Sequence, residues 1–200
     1  MFLLRKAVLP RDISCDEQTQ VKKMFGIKRI PQYFTVLLSA MQQMRLSDSE
    51  KESMGIICVS HLGPVEQVHK YIDDLLTFPP EECSPAFFSH SVFNAPAAFL
   101  TRYMDLRGPS LSVCGFQQIV KSSVLSAYSW LETSYCSKVL MVFSDENAEI
   151  SRKIESLTGV ELFKHTHLVL LGKNNEGGTG EPVTPEELTE YVKQTHNLKE

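Results

Sequence analysis

Three short runs in this 200-residue chain, Ile56–Val59, Val139–Phe143 and Leu168–Leu171, are apolar at every position. A strand with one face in water alternates apolar and polar residues, because successive side chains point to opposite faces. An unbroken run therefore predicts a strand covered on both faces. Leu111–Val113 is a shorter fourth candidate. The segments between these runs have helical periodicity. Gln32 to Arg45 carries Tyr33, Leu37, Ala40, Met41 and Met44 at three-and-four spacing, with Pro31 suited to the first turn. Pro64 to Leu76 follows Gly63 and aligns Val65, Val68, Ile72 and Leu76. Phe116 to Glu132 is apolar around most of its circumference, through Ile119, Val120, Val124, Leu125, Ala127, Trp130 and Leu131, which predicts a helix buried within the domain. Asn147 to Leu157 is a shorter amphipathic helix. The fold class that follows is α/β, a central mixed sheet covered by helices on both faces with a buried central helix.

With 42% apolar and 22% charged residues the chain can bury a core, and residues 1–200 are read as one domain. A net charge of -4 gives no reason to expect nucleic acid or an anionic membrane as partner. Met1 to Lys6 places a short apolar run before its basic pair, the reverse of a secretory signal, and no run has the length of a membrane-spanning helix, so a cytoplasmic location is expected. Cys15, Cys58, Cys83, Cys114 and Cys136 are scattered, without a Cys-x-x-Cys pair. The six histidines are not at zinc-finger spacing, and His165 and His167 read as strand-edge residues, so neither metal nor cofactor is expected. The glycine-rich stretch 172–180 lacks the Gly-Lys-Ser/Thr ending of a phosphate loop and reads, within 173–183, as a flexible connector. Thr184-Pro185-Glu186-Glu187 then opens a helix over 184–200, with a capping hydroxyl, proline in the first turn and acids at the positive end of the dipole.

The most informative segment runs from Ser84 to Gln118. Gly108-Pro109-Ser110 followed by a short β run resembles the strand that enters the nucleophile turn of β-ketoacyl synthases. Phe88 to Ala95 resembles the helix start upstream of it. Val139–Phe143 with Ser144-Asp145-Glu146 resembles the strand and acidic turn beyond the nucleophile helix, and Gly55–Ser60 with Gly63-Pro64 resembles the first strand and glycine turn. Order and spacing agree over most of residues 20 to 172. The chain thus resembles a free-standing amino-terminal half of a β-ketoacyl synthase, which implies half of a thiolase-like fold.

In that family the nucleophilic cysteine lies nine positions after the glycine of Gly-Pro-Ser, where a helix amino terminus lowers a thiol's pKa and aims N–H groups at developing charge. Counting from Gly108 reaches Gln117, flanked by Phe116 and Gln118, and the resemblance places these three against the substrate pocket. An amide has no ionisable nucleophile and cannot hold an acyl group as a thioester, so condensation by this chain alone is not expected. Cys114 is the alternative nucleophile, three residues early on the strand side of Gly115; its other reading is a small residue at a strand end.

Glutamine at this site is similar to two ketosynthase-like classes. Chain-length factors are inactive subunits that pair with an active ketosynthase, and loading decarboxylases remove carbon dioxide from a malonyl group. Decarboxylation in the family relies on two histidines of the second half, which His61, His69, His90, His165, His167 and His196 do not match. The expected function is a chain-length-factor-like subunit in type II polyketide or fatty-acid biosynthesis, including the aryl polyene kind. Its expected partners are an active β-ketoacyl synthase, in a hetero- or homodimer, and an acyl carrier protein. The alternative is a malonyl-carrier-protein decarboxylase or an acyltransferase using Cys114. A single half also implies an exposed apolar patch, because the final helix around Leu188, Val192 and Leu198 looks too polar to cover much. Phe93, Asn94, Phe99, Leu111 and Val113 are the residues that the resemblance puts at the subunit interface.

Overall fold

In the computed structural model, residues 1–173 and 180–196 are described. The strands are β1 (Phe2–Pro10), β2 (Met54–Ser60), β3 (Ser110–Cys114), β4 (Lys138–Phe143), β5 (His165–Gly172) and the two-residue β6 (Glu181–Pro182). The helices are α1 (Cys15–Met24), α2 (Gln32–Gln43), the single turn α3 (Asp48–Lys51), α4 (Val65–Thr77), α5 (Pro85–Ser91), α6 (Ala95–Met104), α7 (Ile119–Glu132), α8 (Glu149–Thr158) and α9 (Pro185–His196). The strands form one mixed sheet in the order β3-β2-β4-β5-β1-β6. β2 is parallel to β3 and β4, whereas β5 runs antiparallel to both β4 and β1.

The unbroken apolar runs have a direct explanation in two cores, one on each face. Ile56 and Cys58 of β2, with Leu140, Val142, Leu168 and Leu170, face α2 and α6. Their neighbours Ile57, Val59, Val139, Met141, Phe143, Val169 and Leu171 face α7 and α9. Alternate residues of one run thus serve opposite cores, and none can be polar without leaving an unpaired group in an apolar layer.

Several elements differ from the sequence-based expectation. β1 is a nine-residue strand where only a short apolar run was read, because Arg5 and Lys6 break the hydrophobic pattern. Arg5 donates to the Met44 carbonyl at 2.6 Å and pairs with Glu50, which also meets Lys138 at 3.2 Å. Burial alone raises the Glu50 carboxyl, but Arg5, the Ser47 amide and Lys138 together hold it at about 2. Helices α1 and α5 were not anticipated, and α7 begins at Ile119 rather than Phe116. The central helix is buried along Ile119, Val120, Val124, Ala127 and Leu131, but Leu125 and Tyr128 are exposed.

The largest correction concerns α9. Although four of its residues are charged, Leu188 and Val192 are fully buried and lie in the α7 core. Two apolar residues one turn apart are enough to seat a polar helix, because only its inner stripe must be dry. Lys6 lies over the Tyr191 ring at 4.8 Å, tying α9 to β1. Leu198 and the glycine-rich stretch 174–179 lie outside the described residues. No helix among the described residues is long and apolar enough to cross a membrane.

Gly108 marks the tightest crossing near the site. A Cβ there meets the Met54 carbonyl oxygen at 2.3 Å, backbone that cannot give way. Gly108→Ala is expected to lower unfolding stability by about 3 kcal/mol, the upper range for overpacking, read as a shift in urea midpoint. Leu188→Ala is expected to cost about the same, roughly 3 kcal/mol, by leaving a cavity between α9 and α7, measured in the same way.

Candidate functional site

The carboxyl ends of the parallel strands β3, β2 and β4 emerge together, with Ser60 in register with Cys114 and Val59 with Phe143. In open α/β sheets this edge is where ligands and reactive groups collect. Three segments leave the sheet here: Ser60–Gly63, Cys114–Gln118 and Ser144–Glu146.

Asp145 is the centre of this edge. It is 1% exposed. It accepts hydrogen bonds from Ser60 Oγ (2.7 Å), His61 N (2.7 Å), Leu62 N (3.3 Å) and Phe163 N (2.9 Å), and its Oδ2 meets His61 Nδ1 at 2.7 Å. Burial alone raises its carboxyl, but the His61 ring, Ser60 and the Phe163 amide hold it below the ordinary value. Ser60 Oγ in turn accepts from Gly63 N at 2.8 Å. Ser, His and Asp are the residue types of a hydrolytic triad, but they are connected differently. The Ser60 proton goes to Asp145 rather than to an imidazole, which leaves no activated hydroxyl.

Glu146, 3% exposed, reaches the first turn of α4, where it accepts from Glu66 N at 2.8 Å and Gln67 Nε2 at 3.2 Å. Burial outweighs these two hydrogen bonds and pushes its carboxyl up to about 7. Behind it, Tyr33 OH donates to the Ser144 carbonyl at 3.0 Å, fastening α2 to the same turn.

The turn from β3 into α7 is stretched over the surface. Gly115 has φ +153°, and Gln118 occupies the left-handed region at φ 56°. Phe116, Gln117 and Gln118 are all solvent-exposed, and α7 starts without a side-chain cap. Cys114 is exposed as a residue, yet desolvation of its sulfur, assisted by the Asp145 carboxylate, pushes the thiol up to about 11. It is protonated at neutral pH and a poor nucleophile. Gly63 has φ +65°, and a Cβ on it meets the Phe93 ring at 2.7 Å and Cys114 Sγ at 3.7 Å, so Phe93, Gly63 and Cys114 converge.

The five expected interface residues lie in different settings. Phe93 is 61% exposed and Asn94 is exposed. Phe99 is half-buried, stacked on Phe34 with ring centroids 5.0 Å apart. Leu111 and Val113 are half-buried against the α7 core, on a strand that ends the sheet. Asn94 and Phe99 also line a cleft of about 380 Å³ with Phe34, His90, Arg102 and Tyr103. The Ser60–His61–Asp145–Glu146 arrangement went unforeseen as a unit. Its signal was two adjacent acids one residue beyond the apolar run Val139–Phe143.

Residues 23–151 match the sequence model of the β-ketoacyl synthase N-terminal domain, well over half of the chain. The chain belongs to that family. No curated protein is significantly similar to this β-ketoacyl synthase domain in sequence. Solved structures with the same fold include the ishigamide ketosynthase/chain length factor, at TM-score 0.65 and 15% identity, covering 80% of this chain and 49% of that one. One chain of the ketosynthase ApeO in complex with its chain length factor ApeC, from Xenorhabdus doucetiae, aligns at TM-score 0.60 and 16% identity over 99% of this chain and 93% of its own length. The AntDE:AntF complex, a type II acyl carrier protein with its ketosynthase, aligns at TM-score 0.63 and 9% identity over 86% and 62%. At these identities the likeness speaks for the fold, and the domain spans about half of the ishigamide chain.

Glu146 gives this domain a pH dependence with a defined sign. A carboxyl raised from 4.5 to about 7 keeps its proton in the folded chain while the unfolded chain has lost it. Stability therefore falls as pH rises between those values. His90, lowered by burial, pulls the other way below 6.5. Glu146→Gln isolates the carboxyl: relative to the parent it is expected to gain stability as pH rises from 4.5 to 7, by about 3 kcal/mol in all, measured as unfolding midpoints across that range.

Proposed function

We propose that this chain is a non-condensing, chain-length-factor-like subunit that pairs with an active β-ketoacyl synthase in type II polyketide or fatty-acid biosynthesis, with acyl carrier protein as the source of acyl groups. The observation that carries the reading is Gln117, which stands nine residues after Gly108 in the turn that opens α7. A carboxamide there offers neither a thiolate nor a proton acceptor strong enough to make one. Cys114, the only thiol in that turn, is held protonated by desolvation and by Asp145, which counts against the acyltransferase alternative.

Two further observations support a partner. β3 ends the sheet, so the outward N–H and C=O groups of Ser110–Cys114 face away from any strand described here. Phe93 and Asn94 are exposed close to that edge. Among the structural relatives, ketosynthase and chain length factor occur together in one complex, and a chain of that complex has nearly this length. In this reading Phe116, Gln117 and Gln118 face the acyl pocket formed with the partner, and Phe93, Asn94, Phe99, Leu111 and Val113 belong to the contact. The reading carries a cytoplasmic location with it.

Co-expression with an active β-ketoacyl synthase from the same organism is expected to give a stable complex on gel filtration. Incubation with acyl-carrier-protein thioesters is expected to acylate the ketosynthase and leave the mass of this chain unchanged, and Gln117→Ala is expected to alter the distribution of product lengths. An acyl adduct on Cys114 overturns the reading.

A further inference from the structure

The charge of this chain is concentrated in one place. Residues 65–91 hold five carboxylates and one lysine, a formal charge of -4 that equals that of all 200 residues, so the remainder is neutral. Lys70, the one cation of that set, is paired with Glu66 at 3.1 Å. Asp74 is engaged too, accepting from the Ser84 amide at 2.7 Å. Asp73, Glu81 and Glu82 are exposed and make no ion pair among the described residues.

The same stretch carries five of the thirteen large apolar side chains exposed among the described residues. Ile72, Leu75 and Leu76 of α4, Phe78 at its end and Phe88 of α5 are each between 47% and 83% exposed. Tyr71 and Phe88 touch, with ring centroids 5.7 Å apart, joining α4 and α5 into one face. Two residues beyond α5 stands the exposed Phe93, so this face continues into the contact proposed above. Soluble monomers rarely leave so many large side chains in water together, and an apolar area with a polar rim has the form of an interface.

We infer that the α4–α5 face is a docking surface for a ketosynthase subunit whose own apolar contact is rimmed by lysine and arginine, and that its acids select that partner over a second copy of this chain. The inference rests on the functional reading above and adds the chemistry of the partner. A twofold pair of identical chains puts the same patch on both sides. Patch-to-patch docking of this chain therefore sets Asp73, Glu81 and Glu82 against their own copies. Like charges brought together across a desolvating contact oppose association, whereas a basic rim is drawn in and oriented. The apolar side chains supply the burial and the acids decide between partners.

The test uses the full chain and the active β-ketoacyl synthase of the same organism that co-purifies with it, with affinity measured by titration calorimetry at low and high salt. Two variants are compared with the parent, Asp73→Lys/Glu81→Lys/Glu82→Lys and Ile72→Ser/Leu76→Ser, all at exposed positions and each checked by its thermal midpoint. Both are expected to lose at least about tenfold in affinity, and the charge-reversal loss is expected to shrink at about 0.5 M salt, where the screening length is only a few Å. Parent-level affinity in both variants overturns the inference while leaving the functional reading standing. So does a parent chain that dimerises by itself through this face, becoming monomeric in the serine variant. A parent that does not bind the ketosynthase at all overturns the functional reading and this inference with it.

Discussion

The ends of the parallel strands are held by a single buried carboxylate. Asp145 takes hydrogen bonds from the turn after β2, through Ser60, His61 and Leu62, and from Phe163 just before β5. A charge so deep in the fold is tolerable because these donors satisfy it. Losing one donor leaves the others to compensate an ion in an apolar setting, so the turns after β2 and β4 and the approach to β5 act as one unit. The adjacent Glu146 extends that unit to the first turn of α4. The geometry of the β3–α7 turn depends on this frame, because Gly63, held through Ser60, forms the surface against which Phe93 and Cys114 pack.

Within this frame the polar side chains are engaged with one another. Both the serine and the histidine are bound to the aspartate, and the nearby thiol keeps its proton. The turn that follows β3 is open to solvent, with Gln118 in a backbone conformation uncommon for residues other than glycine. A glutamine side chain in such a turn can donate and accept hydrogen bonds at once.

How much of this was legible in the sequence depended on whether a residue's role is local. The interior strands could be read because both of their faces are dry, which leaves an unbroken apolar run such as Val139–Phe143. β1 could not, since Arg5 is made tolerable by Glu50, forty-five residues away. α9 was misjudged for a similar reason: its composition is polar, and only the partner helix α7 shows that Leu188 and Val192 suffice. At the site, the family resemblance depended on short ordered motifs, and residues 23–151 fall within its span. The hydrogen bonds of Asp145 were illegible because they join positions 60 to 62 with 145 and 163, a proximity that exists only once β2 and β4 lie side by side.

The free margin of β3 has a consequence for aggregation. Five residues whose outward amides and carbonyls face no strand among the described residues form a short template onto which an extended segment can zip. Brevity limits the hazard, as does the exposed hydroxyl of Ser110, but neither removes it. Covering that margin, by pairing or by packing, removes the hazard at its source.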